Sequence, residues 1–164
     1  MRVVHPLTTA NPDAIAAISA TRYPVEFADV SGSPRAYYDL LARLWSDGRT
    51  FAVVEHDIVI GPDTLDSLAA CPHDWCSCPY RYGNTTTHGL GCVKFSAELI
   101  ARNPDAMIRV GVMSDGSHER RHWCRLDAWL QGVVLPNAGE IRHEHSDEVT
   151  HLDSGCSHGC TSYF

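Results

Sequence analysis

The sequence predicts an α/β protein with one open, mostly parallel sheet flanked by helices, an arrangement related to the Rossmann fold. Strand and helix signals alternate from the first residues onward. The run 51–60 is apolar enough for a strand buried on both faces, as parallel sheets require. Tyr37, Leu40, Leu41, Leu44 and Trp45 repeat at the spacing of a helix that buries one side.

Each element has a local reason. Residues 2–7 form a short apolar run and the first expected strand. Asn11-Pro12-Asp13 then places a capping side chain before a proline at the first helical position, which predicts a helix over 14–20. Residues 25–30 read as the second strand, closed by Ser31-Gly32. Ser33 caps the striped helix, Pro34 opens it, and Gly48 lies just past its end. After the strand at 51–60, Pro62 opens a helix with Leu65, Leu68 and Ala69 facing inward.

Beyond Cys71 the pattern is less regular. A strand is expected at 75–80, a loop rich in Gly, Asn and Thr at 81–88, and a return to the sheet at 89–95. Ser96 caps the next helix, with Phe95 and Ile100 as the hydrophobic staple around the cap, and Asn103-Pro104 ends it. Residues 114–121 are polar and read as a loop; a last helix runs from Trp123 to Gly139. Residues 1–153 form one expected domain, and 154–164 read as a tail without periodicity.

Composition narrows the function. The 164 residues are 44% hydrophobic and 20% charged, ordinary for a globular domain. No apolar run approaches the roughly 20 residues needed to span a bilayer, and the first residues lack a secretory pattern, so a cytoplasmic protein is expected. A net charge of −7 with scattered Lys and Arg argues against a broad nucleic-acid grip. Seven cysteines, an odd number, argue against a full disulfide framework.

Glu55-His56-Asp57 interrupts the apolar run 51–60. If the strand continues, alternation puts Glu55 and Asp57 on one side and His56 on the other. Two carboxylates on one side of an apolar strand repel each other and lose hydration, and a divalent cation compensates both costs. Magnesium suits so sparse a pair, because it retains water and takes oxygen from substrate phosphates. A plain strand end with polar residues at its exposed edge fits the same pattern.

Asp127 is the second anomaly. It falls on the stripe Trp123, Leu126, Leu130, Val134, where a carboxylate is costly unless paired or set at a cavity. A carboxylate stabilising the first turn of its helix is the competing reading.

The segment 51–58 resembles the strand and acidic motif of glycosyltransferases with the GT-A fold, and the order of later features fits over about residues 2–152. The likeness extends to short glycosyltransferase-like proteins of actinobacteria and their phages. The resemblance implies transfer of a sugar from a nucleoside-diphosphate sugar to a hydroxyl, with Mn2+ or Mg2+ as cofactor. It makes Asp57 a metal ligand, Glu55 a ligand through water or a ribose contact, and His151 the late ligand that closes the site. His143 and His145 are alternatives to His151. Asp127 becomes the catalytic base of an inverting reaction, although Leu126 stands where the family usually has Glu.

By position in that fold, His5, Pro6 and Leu7 border the nucleotide base, Asp29 binds base or ribose, Arg22 meets the diphosphate, and Gly89 and Gly91 pass close to the donor sugar. Trp75 and Trp123 are candidates for stacking. A hydroxymethylated pyrimidine in DNA is one acceptor the resemblance suggests.

Two alternatives remain. One is a metal-dependent nucleotidyltransferase or phosphohydrolase. The other is a non-catalytic zinc module using Cys71, Cys76 and Cys78 with Cys156, His158 and Cys160, although paired Cys-x-x-Cys knuckles are absent.

Overall fold

The computed structural model describes residues 1–82, 84–112, 123–147 and 149–152. The polar stretch 114–121, the tail 154–164 with its Cys/His set, the boundary between domain and tail, and the side chain of Trp123 lie outside the described residues.

Six strands form the central sheet. They are β1 (Arg2–Leu7), β2 (Val25–Asp29), β3 (Phe51–Val54), β5 (Trp75–Ser77), β8 (Cys92–Phe95) and β9 (His143–Glu144), ordered β2-β1-β3-β8-β5-β9. All run parallel except β8, which is antiparallel to both neighbours. The mostly parallel sheet flanked by helices is therefore the expected fold class. Phe51, Ala52, Val53 and Val54 are all buried, as a strand covered on both faces must be.

Local signals account for most of the first half. Asn11 accepts hydrogen bonds from the Asp13 and Ala14 amides and caps α1 (Pro12–Ser19). In α2 (Ala36–Ser46) the five striped residues are all buried. This helix starts two residues after Pro34, because Ser33 is spent on a turn, accepting from the Arg35 amide at 3.1 Å. Gly48 follows its end with φ +66°, a conformation that favours glycine.

Four expectations change. The strand 51–60 breaks into β3 and a short β4 (Ile58–Val59), with Glu55-His56-Asp57 forming a turn closed by the Ile58 amide on the Glu55 carbonyl at 3.0 Å. In α3 (Thr64–Ala70), Leu65 and Leu68 are buried but Ala69 is exposed, since the helix packs only a narrow face. The loop 81–88 contains a hairpin of β6 (Tyr80–Tyr82) and β7 (Thr85–Thr87), where β-branched threonines suit strand backbone. An additional helix, α5 (Ala106–Val112), follows α4 (Ala97–Arg102), burying Ala106, Met107 and Val110. Ser96 caps α4 through the Leu99 amide at 3.0 Å, and Phe95 and Ile100 are both buried, as expected.

The final helix opens as α6 (Trp123–Trp129), widens into a π turn over Leu130–Val134 and closes as α7 (Leu135–Asn137). Pro136 cannot donate a backbone hydrogen bond and crowds the carbonyl four residues back, and the wide turn lies immediately before it. One core, with Leu40, Leu44, Phe51, Phe95, Leu126 and Leu130, lies under α2, α5 and α6. The other, with Ile18, Ile58, Leu65, Leu68 and Tyr80, lies under α1 and α3. β10 (Thr150–His151) closes the chain onto β4, antiparallel.

Candidate active site

The turn at Glu55-His56-Asp57 sits at the carboxyl end of β3, where open α/β sheets collect ligands. It is reached by pieces from distant parts of the chain. β10 pairs His151 with Ile58, and the Leu152 amide donates to the Asp57 carbonyl at 2.7 Å. This strand pairing sets His151 Nε2 at 3.3 Å from Asp57 Oδ2, with both side chains nearly buried. The Tyr80 ring stacks on His151 at 5.3 Å between centroids, 10° from parallel.

Asp127 comes from the other face, on α6. Its Oδ1 accepts from Gln131 Nε2 at 2.7 Å, and Gln131 Oε1 accepts from Trp75 Nε1 at 3.1 Å. The relay ties the carboxylate to the sheet.

Gly89 and Gly91 make room for this convergence. A Cβ on Gly89 would fall 2.2 Å from the Tyr80 hydroxyl and 2.6 Å from Asp127 Oδ2. One on Gly91 would lie 2.7 Å from the Tyr80 ring. Any side chain at either position would displace Tyr80, and at Gly89 Asp127 as well.

The cluster is strongly acidic. Glu55 keeps some surface open, yet protein surrounds it so closely that burial, with Asp57 beside it, pushes its carboxyl up to about 8. Tyr37 opposes that rise; its hydroxyl is close to Glu55, but no aligned hydrogen bond reaches it. Burial raises Asp127 to about 6, against the lowering effect of the Gln131 hydrogen bond and the Arg142 charge. Burial and the charges of Glu55, Asp127 and Asp57 together hold the Tyr80 phenol well above its usual range.

His5 and His56 flank the turn. His5 is fully buried and its Nδ1 meets the Val54 carbonyl at 2.7 Å. A carbonyl only accepts, so Nδ1 carries the proton and Nε2 is a bare acceptor. Burial lowers the pKa of both imidazoles, favouring their neutral forms. His56 Nε2 is 2.9 Å from Thr8 Oγ1, which ties the turn to the end of β1.

Glu55, Asp57, Gly89, Gly91, Asp127 and His151 therefore come together, with His5 beside them. Pro6 is buried within β1 and Leu7 ends it, next to Asp29 in the strand register. Asp29 is exposed at the end of β2, its Oδ1 accepting from the Ser31 amide and hydroxyl at 2.9 and 2.7 Å. Arg22 precedes β2, at the edge where the parallel strands begin, and is paired with Asp66 at 2.8 Å. That placement separates it from the acidic turn. His143 and His145 lie along the β9 edge, and Trp75 is buried beneath Gln131 rather than open for stacking.

No site role was read in the sequence for Tyr80, Gln131 or Tyr37, the last being placed only on the buried stripe of its helix. Gln131 carried a usable signal, being four residues after Asp127 on one helix. The tyrosines carried none, because their place depends on how the hairpin and α2 meet the turn.

No protein-family model matches the sequence, and no curated protein matches it. Solved structures do. A glycosyltransferase involved in the glycosylation of the major capsid of PBCV-1 superposes with TM-score 0.55 at 9% identity, over 98% of this chain and 94% of that one. The inositol-1-phosphate CTP transferase from T. maritima gives TM-score 0.49 at 10% identity, over 94% and 90%. At 9% identity the first likeness is one of fold alone: the two chains share an α/β architecture. No helix among the described residues is long and apolar enough to cross a membrane.

Proposed function

We propose that residues 1–153 form a metal-dependent glycosyltransferase that moves a sugar from a nucleoside-diphosphate sugar to a hydroxyl acceptor with inversion. The observation that carries this reading is the meeting of Glu55, Asp57, His151 and Asp127 at the carboxyl end of β3, on a fold shared with a glycosyltransferase.

The residues fit a divalent cation. Adjacent ligands of an ion bound at about 2.2 Å lie about 3 Å apart, close to the 3.3 Å between Asp57 Oδ2 and His151 Nε2. Asp57 and His151 would hold the metal directly, with Glu55 acting through water or on the donor ribose. An imidazole among oxygen donors favours manganese over magnesium. When bound, the ion supplies Lewis-acid stabilisation of the charge developing on the leaving diphosphate.

The chain's own residues do the rest. The absence of side chains at Gly89 and Gly91 lets Tyr80 and Asp127 pack where the donor sugar would lie, and His5, Pro6, Leu7 and Asp29 would border the nucleotide. Asp127 removes the proton from the acceptor hydroxyl as its oxygen attacks the anomeric carbon and the diphosphate leaves from the opposite face. A carboxyl near 6 is ionised at neutral pH yet basic enough to share a proton in the transition state. A hydroxymethylated pyrimidine in DNA is the first acceptor to assay, with free sugars and peptides beside it.

Thermal shift with a panel of nucleoside-diphosphate sugars, with and without manganese, tests the reading. Stabilisation that needs both components supports it. Equal affinity in excess chelator removes the metal-bridged site, and release of pyrophosphate or free phosphate identifies a nucleotidyltransferase or phosphohydrolase instead.

A further inference from the structure

A second cluster lies away from the acidic turn. In the sheet register, Cys76 of β5 is level with Lys94 of β8 and His143 of β9. All three sit on the α3 side of the sheet, because their neighbours Trp75, Val93 and Phe95 belong to the other core. Cys71 caps the end of α3 above them. Cys71 Sγ and one ring nitrogen each of His143 and His145 lie within 4.8 Å of one another.

From this geometry we infer that Cys71, His143 and His145 bind a zinc ion, independently of the proposed sugar-transfer site. One thiolate and two imidazoles make a borderline-soft donor set that selects zinc over magnesium or calcium. Tetrahedral zinc, with bonds of about 2.0–2.3 Å, spaces its ligands about 3.5 Å apart, so small side-chain rotations close the set.

Two further features point the same way. His145 Nε2 is buried and has no hydrogen-bond partner, a costly state that coordination relieves. The donors are also held in place. The His145 amide bonds the Ser77 carbonyl at 2.9 Å, His143 stacks on His73 at 4.1 Å, and buried Lys94 donates to the Cys71 carbonyl at 2.6 Å. Cys76 turns its thiol to the His73 carbonyl at 3.6 Å, beside Cys71, and the fourth position on the ion would go to water. Cys71 and His73 also line a surface cavity of about 380 Å³, which gives an ion a way in. The Lys94 charge opposes a cation, while Asp147, near His145, offsets it.

Cobalt(II) added to chelator-treated full-length protein tests the site. One equivalent should give intense tetrahedral visible bands and a thiolate-to-cobalt charge-transfer band, both displaced by one equivalent of zinc. Cys71→Ser should abolish the charge-transfer band, and His145→Ala should weaken zinc binding by at least about 10-fold. Asp57→Asn and His151→Ala should leave both bands intact. On the unmutated chain, zinc should slow alkylation of Cys71 by at least about 10-fold, a readout that stands even if a variant fails to fold. The inference is overturned if the bands survive Cys71→Ser, if they vanish with Asp57→Asn instead, if zinc leaves Cys71 alkylation unchanged, or if the purified chain carries a disulfide joining Cys71 to Cys76.

Discussion

Around Asp57, three carboxylates and one imidazole gather from a turn, a helix and a two-residue strand. Around Cys71, one sulfur and two imidazoles gather from a helix end and an edge strand. The first group lies beyond the end of β3; the second lies on the face of the same sheet, level with the middle of that strand. His143, His145 and His151 are close in sequence, yet strand pairing sends the first two to Cys71 and the third to Asp57. The difference teaches that a histidine's place in the list of candidate ligands follows from its backbone partner, which sequence spacing does not reveal.

The sharpest way to separate the clusters is through the proton acceptor. Asp127→Asn should lower sugar-transfer turnover by about 100- to 10,000-fold while donor binding survives. Cys71→Ser should leave turnover within about twofold. The anomeric configuration of the product, read by NMR, should be inverted; retention, or near-normal turnover of the Asn variant, would remove Asp127 from the mechanism. Turnover of the unmutated protein should rise as pH passes through about 6 and level off above it, because the base must be ionised.

A smaller effect is expected from the imidazole partner. His151→Ala should weaken manganese-dependent donor binding by about 10- to 100-fold in calorimetry, and His143→Ala should not. The reverse outcome would exchange the roles of the two clusters.

Packing gives a third comparison. Gly89→Ala should destabilise the fold by about 1–3 kcal/mol in denaturant titration, since its methyl would collide with Tyr80 and Asp127. Gly132→Ala meets open space and should be neutral or slightly stabilising. Equal effects would mean that Tyr80 yields easily and that the pocket is loosely built.

The smallest effect concerns stability against pH. Folding raises the Asp127 carboxyl from its ordinary value near 4 to about 6, so the folded state holds a proton that the unfolded state has lost between those limits. This carboxyl therefore costs stability as pH rises from about 4 to 6, and the full cost persists above. Asp127→Asn should raise the melting temperature at pH 7 by a few degrees, about 2–4 °C per kcal/mol recovered, and by much less at pH 4. A gain of equal size at both pH values would trace the effect to packing.

The first half of the fold was legible because its signals are local. Asn11 caps the residues beside it, and the stripe on α2 needs only one helix period. The hairpin of β6 and β7 and the helix α5 were not legible, since the first is polar and the second is a seven-residue helix that follows a break at Pro104. For the site, the sequence marked Glu55, Asp57 and Asp127 as anomalies, the family resemblance added His151, and the structure brings the four together. The reason given for the facing of Glu55 and Asp57 was strand alternation, but a turn is what holds them. Arg22 looked equally suited on charge alone, and only topology places it at the other end of the sheet. Seeing Cys71 with His143 and His145 required the register of β5 against β9, a contact spanning most of the chain.

The docking of β10 on β4 also orders events in time. Residue 151 is synthesised 94 positions after residue 57 (151 − 57 = 94), and the hydrogen bonds that seat it need both strands present. A nascent chain on the ribosome therefore exposes the acidic turn long before its imidazole arrives. Through the synthesis of residues 58–150 the acidic turn lacks this imidazole, and β10 brings it.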